Sequence, residues 1–441
     1  MSDKVEYEGT SYLQLAILFS AVFIDLVGFG IVIPILPFLN DKLGGTDLDY
    51  GLILAVYSLM QFIFSPIWGN LSDKYGRKPV IIAGLSGEAI GFALFAFASK
   101  LWMVYFARAF AGVFTAATLT TANAYIADTT APEDRSTGFG LISAAFGLGF
   151  ALGPGVGGLV AGFHALDPFL SRIVPIMGSH VVPSFTASAL SVVAMVSAVL
   201  FLPESLKDTS GIDFSNRNRF PIMDTFNYTE NDNTLLYVAI FALVAFGLSN
   251  FLTSFPLYAQ VIDPSIDETS LGYYFTFIGI LLFLTQSFFI RPLVKWFGEI
   301  ALVRAGILFI IAGSFGVILM PTYILTFIPN FFYIIGIALL LPTMKGLLSN
   351  TVSDENQGNI LGISQAWSAF SRIIGPILAG ALFGIGSRLP FIFGALVFGV
   401  IGFVAFTKID HLPQSEEESI KVHEKEEVQE ISQEVMYPQN H

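Results

Sequence analysis

The sequence predicts an all-α integral membrane protein whose twelve transmembrane helices form two six-helix pseudo-repeat bundles. Three observations carry this expectation. The 441 residues are 54% hydrophobic and only 12% charged, whereas a soluble domain carries about 25% charged residues; most of the surface must therefore face lipid. Twelve apolar runs come close to or exceed the ~20 residues that a spanning helix needs, and they are continuous rather than alternating, which selects helices over a barrel. Finally, one offset relates the two halves. Shifted by 222 residues, Pro34 falls on Pro256, Gly76 on Gly298, Gly140 on Gly362, Gly153-Pro154 on Gly375-Pro376 and Gly158 on Gly380.

The acidic start MSDKVEYEGTSY lacks the basic n-region and short apolar core of a signal peptide. Residues 1–11 therefore read as a cytoplasmic N-terminus and 12–37 as an uncleaved first helix. Within it, DLVGFGIVIPILP places Gly28 and Gly30 for close helix contact, while Pro34 and Pro37 remove backbone donors and bend the outer end. After the run 50–69, the stretch Gly69–Pro79 (GNLSDKYGRKP) reads as a loop, and its Lys74, Arg77 and Lys78 belong on the cytoplasmic face. Runs 79–99, 101–124, 137–161 and 183–202 complete a first bundle spanning 12–202. The run at 137–161 contains GLGFALGPGVGG, where Gly149 and Gly153 have GxxxG spacing; Pro154 makes the helix both close-packed and bendable. A polar central loop, 203–233, contains NRNR and DTFNYTENDN. The second bundle, 234–407, holds runs 234–257, 270–290, 300–320, 323–345, 358–383 and 389–407.

With the N-terminus inside, 15 of the 21 Lys and Arg lie in or beside cytoplasmic segments, and four (Lys42, Lys100, Arg172, Arg388) lie outside. The central loop, with its Asn227-Tyr228-Thr229 sequon left unused, and the tail 408–441 are then cytoplasmic. From His411 onward the tail holds eight Glu and two Lys, so 2 − 8 = −6 of the −13 net charge is a solvated, disordered tail rather than a partner signal. The cell membrane is the expected location, with an organelle membrane as the alternative. No Cys is present and the five His are scattered, so neither disulfide nor metal site is expected. No basic patch with interleaved aromatics points to nucleic acid, and no nucleophile–base constellation points to an enzyme or a cofactor.

Charges inside a membrane cost about 2.5–3.5 kcal/mol each and persist where they pair or face a cavity. Asp25, Glu88, Arg108 and Arg372 fall within apolar runs. Two readings stand: a proton or substrate site between the halves, with Asp25, Glu88 and Arg108 as the coupling groups, or a satisfied structural pair such as Asp25 with Arg108. At the cytoplasmic end, Asp128 is placed to pair with Arg77, Asp73 to face the N-terminus of another helix, and Arg135 closes the polar run APEDR. Gln61, Asn123, Asn250, Gln286, Gln365 and Trp367 are candidates for lining a cavity. The 44 Phe residues face lipid or line a cavity for an apolar ligand.

These motifs together resemble the major facilitator superfamily over the whole chain. GNLSDKYGRKP is similar to that family's loop 2–3 signature, and GPGVGG to the fifth-helix signature of its proton-coupled exporters. FIDLVGFGIVIPILP and ARAFAGVFTAATLTTANAYIADTTAPEDRSTGFG resemble the first and fourth helices of tetracycline and multidrug exporters. The resemblance implies a twelve-helix fold and a monomeric drug–proton antiporter in the bilayer that takes a small molecule and protons. Asp25 then handles substrate or proton, Asp73, Arg77 and Asp128 form the cytoplasmic charge network, and Arg108 is the fourth-helix arginine. Gly149, Gly153, Pro154, Gly157 and Gly158 form the exporter motif. The chain departs from the tetracycline exporters in three places. Glu88 lies one turn from their third-helix acid, Arg304 through Met320 contains no acid, and Glu299 stands at the repeat position of Arg77. Two other functions remain open: uptake or organellar transport of a sugar, organic acid or other metabolite, and a non-transporting receptor or scaffold whose working part is the tail.

Overall fold

The computed structural model describes residues 12–130, 135–162, 178–206, 225, 232–349, 351 and 357–408. Among these, the long elements are twelve helices: α1 Tyr12–Val32, α2 Asp47–Tyr75, α3 Arg77–Ala96, α4 Leu101–Thr129, α5 Arg135–Ala161, α6 Val181–Phe201, α7 Asp232–Ile262, α8 Glu268–Phe297, α9 Glu299–Leu319, α10 Phe327–Ser349, α11 Gln357–Ile385 and α12 Leu389–Lys408. Eleven of them are long and apolar enough to cross a membrane, and α5 contains a shorter apolar stretch, Gly147–Ala161.

The helices outrun the apolar runs that announce them. Thr46 starts α2 with a capping box: its hydroxyl accepts the Asp49 amide at 3.2 Å, and the Asp49 carboxylate accepts the Thr46 amide at 2.8 Å. The helix then continues through Asn70, Asp73 and Lys74. The expected loop at 69–79 is therefore helix on both sides of Gly76 alone. Gly76 has φ +102° and Gly298, its repeat partner, φ +78°, a region closed to side chains with a Cβ. The two glycines separate α2 from α3 and α8 from α9. At the end of α1, Ile33, Pro34 and Ile35 form a turn, and a short helix, Leu36–Lys42, follows with Pro37 in its first turn. A π turn at Thr285–Phe289 widens α8, and a 3-10 turn at Ile324–Thr326 precedes α10.

The halves meet along two helix pairs, α5 with α8 and α2 with α11. Both seams are made by glycine. A Cβ on Gly158 would lie 2.7 Å from the Gly272 Cα and 2.8 Å from the Glu268 carbonyl oxygen. At the equivalent place Gly380 packs on the Asp47 carbonyl, and Gly51 packs on the carbonyl of Pro376. Gly279 sits on Ala151, and Thr269 donates to the Gly158 carbonyl at 3.0 Å. All these contacts lie toward the end where α2 and α8 begin. At Gly147, one turn beyond Ala151, and at Gly362 on α11, a Cβ would meet nothing within 4 Å. The halves thus touch at one end and part toward the end that carries Gly76.

Side-chain growth in the seam forces backbones apart. Gly158→Val is expected to destabilise the protein by about 1–3 kcal/mol, the usual cost of overpacking, read as a lower thermal midpoint in detergent. An unchanged midpoint would mean that the seam carries little stability.

His180 precedes α6 and is 1% exposed, edge-on to Phe95 at 6.3 Å and against the carbonyls of Ala96 and Ala98. Burial, reinforced by Lys42, pushes its pKa down to about 4 from 6.5. The unfolded chain takes up this proton first on acidification. The stabilisation is complete above pH 6.5 and is lost as pH falls from 6.5 toward 4. The thermal midpoint of His180→Gln is expected to fall less steeply over that window than that of the wild type; parallel curves would exclude His180 as the group responsible.

Candidate functional site

Two polar clusters stand out, one enclosed among α1, α3 and α4 and one at the Gly76 end. In the first, Asp25 is 1% exposed, Glu88 0% and Arg108 2%. The carboxyls of Asp25 and Glu88 lie within hydrogen-bond reach of each other, with Thr115 beside both. Thr118 donates to Glu88 Oε1 at 3.1 Å, and Tyr57 donates to the Thr115 hydroxyl, also at 3.1 Å. Neither Asp25 oxygen, nor Glu88 Oε2, receives a hydrogen bond from a conventional donor. Two carboxylates only accept, so a hydrogen bond between them requires a proton on one.

Arg108 does not pair with Asp25. Its guanidinium lies over the Tyr57 ring, 4.2 Å from the centroid, and 5.4 Å from that of Phe29, while Nε and Nη2 have no hydrogen-bond partner. Tyr57 and Phe29 stack at 5.1 Å. Ring faces offset part of the desolvation of a buried cation, by about 2 kcal/mol or more once water is excluded. With one proton on the carboxyl pair, the three charged groups sum to zero, which is the least costly state for an enclosed cluster.

The glycines of α5 serve two neighbours. Gly149, Gly153 and Gly157 form one stripe against α1: a Cβ would lie 2.6 Å from Leu26 Cβ, 2.9 Å from the Gly30 Cα and 2.8 Å from the Ile31 Cα, respectively. Gly158, with Gly155 and Ala151, forms a second stripe against α8. Pro154 packs on Gly30, and α5 remains helical through it. The GxxxG spacing pointed to the first stripe alone.

The polar candidates are dispersed. Gln61 is half-buried on α2. Asn123 is exposed and donates to the Leu119 carbonyl at 2.9 Å. Asn250 is buried, accepts from Ser254 at 3.3 Å and leaves its amide nitrogen unpartnered. Gln286 sits in the π turn of α8, Gln365 is exposed on α11, and Trp367 donates to Thr225 at 2.9 Å. Arg372 is exposed on α11 and donates to Ser368 at 3.0 Å.

At the Gly76 end, Arg77 reaches Asp128 through Nε at 2.7 Å and reaches Asp73 and Ser72 through Nη1. Asp73 thus faces Arg77 instead of a helix N-terminus. That place is taken by Glu204, just beyond α6, whose two oxygens accept the backbone amides of Arg77 at 2.7 Å and Lys78 at 3.1 Å. Tyr125 of α4 donates to the Pro203 carbonyl at 3.1 Å, so α2, α3, α4 and α6 are tied at one point. Sequence reasoning missed Glu204; the available signal was an acid directly after an apolar run, on the side where α3 begins. Arg135 opens α5, and its side chain lies outside the described residues. Both ion pairs among the described residues belong to this knot. At the equivalent corner of the second half, Glu299 faces Gly346.

Glu204→Ala removes a helix cap whose kind is worth about 0.5–2 kcal/mol. The thermal midpoint is expected to drop accordingly, and the drop should be non-additive with Asp128→Ala, because both groups hold Arg77. Strict additivity would show that the contacts act separately.

Comparison with known proteins places this geometry. The Major Facilitator Superfamily model matches residues 18–341. The tetracycline resistance protein, class C, of Escherichia coli is 31% identical over 404 residues, covering 87% of this chain and 94% of that protein. Multidrug resistance protein 2 of Bacillus subtilis (strain 168) is 28% identical over 385 residues, covering 86% and 91%. Among solved structures, a bacterial homologue of the human lysosomal transporter Spinster, inward-facing and unoccupied, superposes with a TM-score of 0.70 at 15% identity over 90% of this chain and 98% of its own. The chain is a multi-pass membrane transporter and belongs to the Major Facilitator Superfamily.

Proposed function

We propose that the protein exports amphipathic organic compounds in exchange for protons by alternating access. The observation that carries this reading is the enclosed carboxyl pair of Asp25 and Glu88, within hydrogen-bond reach of each other, where a bond between the two needs a proton on one. Loss of that proton leaves two facing negative charges and pushes α1 and α3 apart; uptake restores the pair. Because α1 packs on α5 through Gly149, Gly153 and Gly157, and α5 packs on α8, a change at Asp25 is passed to the seam between the halves. The rocking units are 12–202 and 234–407, and the Arg77 knot keeps the first unit rigid at its end.

The lysine and arginine distribution supports placing the Gly76 end in the cytoplasm together with both termini. The conformation is then open inward, ready to load a compound from inside the cell. Resistance to tetracycline and to multiple drugs, named for the relatives, supports drug-like substrates; the absence of an acid from Arg304 to Met320 weighs against tetracycline itself. Each copy contains both seams, so a monomer suffices in the cell membrane.

The test uses purified protein in proteoliposomes with an imposed pH gradient and a panel of amphipathic drugs. Asp25→Asn is expected to fold normally and to lose gradient-driven transport by about tenfold or more, the scale of a coupling free energy between sites. Full coupling in that variant would overturn the proposal. Asp73→Asn is expected to slow transport while leaving drug binding intact.

A further inference from the structure

Arg372 lies one turn before Pro376 on α11, and Pro376 is the residue whose carbonyl seats on Gly51 of α2. Residues four apart share a helix face. Arg372 therefore looks toward the first half from the open side of the seam, within Coulombic reach of Tyr57 across the gap. Its Nη1 is held by Ser368, one turn further toward the open end. Gln365, two turns from Arg372 on that face, is exposed, as is Arg372 itself. Lys345 of α10 is likewise exposed and lies within Coulombic reach of Arg372.

Neither cation has an ion pair among the described residues. Glu299 lies over Gly346, the neighbour of Lys345, without bridging to Lys345. Between their ends, α7 to α12 contain no other carboxylate. The two carboxyls within the apolar runs of the first half are enclosed: Asp25 and Glu88 face each other, away from solvent. Two unpaired like charges near each other repel, and cations within membrane spans persist where something neutralises them. Across from Arg372 stands Tyr57, which stacks on Phe29 at 5.1 Å and carries Arg108 over its ring, so the facing side is aromatic and holds no exposed carboxylate at that level.

We propose that Lys345 and Arg372 form an anion site on the second-half wall of the cleft, which takes the carboxylate or sulfonate of an amphipathic substrate while its apolar body rests on the aromatic side. This rests on the transport reading above and names its substrate class: organic anions are preferred to organic cations. Arg372 supplies a planar fork for two oxygens, Lys345 a mobile point charge, and Gln365 a neutral donor. An anion seated between the two cations relieves their repulsion, so the loaded state is electrostatically quieter than the empty one.

Fluorescein and rhodamine 123 share a three-ring scaffold and carry opposite charge, so they are the probes. In proteoliposomes with a pH gradient, fluorescein is expected to be the better substrate. Lys345→Gln and Arg372→Gln should each lower the ratio of fluorescein to rhodamine 123 transport by about tenfold or more, the scale of one charge-assisted hydrogen bond. Lys345→Arg, which keeps the charge, should retain the ratio. Preference for rhodamine 123, or an unchanged ratio in both Gln variants, overturns the site. If neither dye moves with the gradient, the export reading fails, and fluorescein anisotropy with the detergent-purified protein decides the site separately. Binding that is lost in the Lys345→Gln/Arg372→Gln double variant upholds the site. No binding by the wild type, or equal binding by the double variant, overturns it.

Discussion

Close backbone approach through α5 is the contact on which the rest of the structure depends. Lipid is as apolar as leucine, so helices in a bilayer gain little from burying hydrophobic area and associate through van der Waals contact where backbones can come near. Gly149, Gly153 and Gly157 bring α5 against α1, and Gly155 and Gly158 bring it against α8. One helix is thus in direct contact with the carboxyl-bearing helix on one side and with the other half of the molecule on the other. The duplicated seam, Gly51 and Gly380 between α2 and α11, closes the same end by the same means. Both seams are thus joined largely by glycine on backbone, with few bulky side chains between the helices at these points.

Enclosed charge imposes the second constraint. Asp25, Glu88 and Arg108 are all nearly inaccessible, yet no salt bridge joins them among the described residues. The cation is covered by rings and the two acids are turned on each other. Each group is stabilised by something other than a fixed opposite charge. At the Gly76 end the logic is reversed: Arg77 is clasped by Asp73 and Asp128, with Glu204 capping the helix that starts there. Pairing is full at that end and incomplete inside.

Much of this was legible in the sequence, for identifiable reasons. The helix count followed from hydropathy, and Gly76 and Gly298 could be matched by a single offset because a positive φ admits little but glycine. Intramembrane charge exposed Asp25, Glu88, Arg108 and Arg372, because such residues are too costly to be incidental. Their pairing was not legible: whether Asp25 meets Glu88 or Arg108 depends on the rotation of three helices about their axes, which composition does not encode. Hydropathy predicts a loop over Gly69–Pro79, whereas the structure has helix on both sides of Gly76, because hydropathy marks where the membrane stops and says nothing of where hydrogen-bonded turns stop. Glu204 escaped notice because the amides it caps lie 127 and 126 residues away in sequence.

The wide turn at Thr285–Phe289 has a geometric consequence for α8. A π turn takes up one residue more than an α turn, and each residue advances an α-helix by about 100°. Everything from Ile290 to Phe297 is therefore rotated by about that angle from where the glycine-rich seam at Gly272 and Gly279 would aim an unbroken helix. The seam fixes the azimuth of the first part of α8, and the π turn resets it for the last part. Arg291, Lys295 and Trp296 are thereby aimed on a different bearing from the glycines that join the halves.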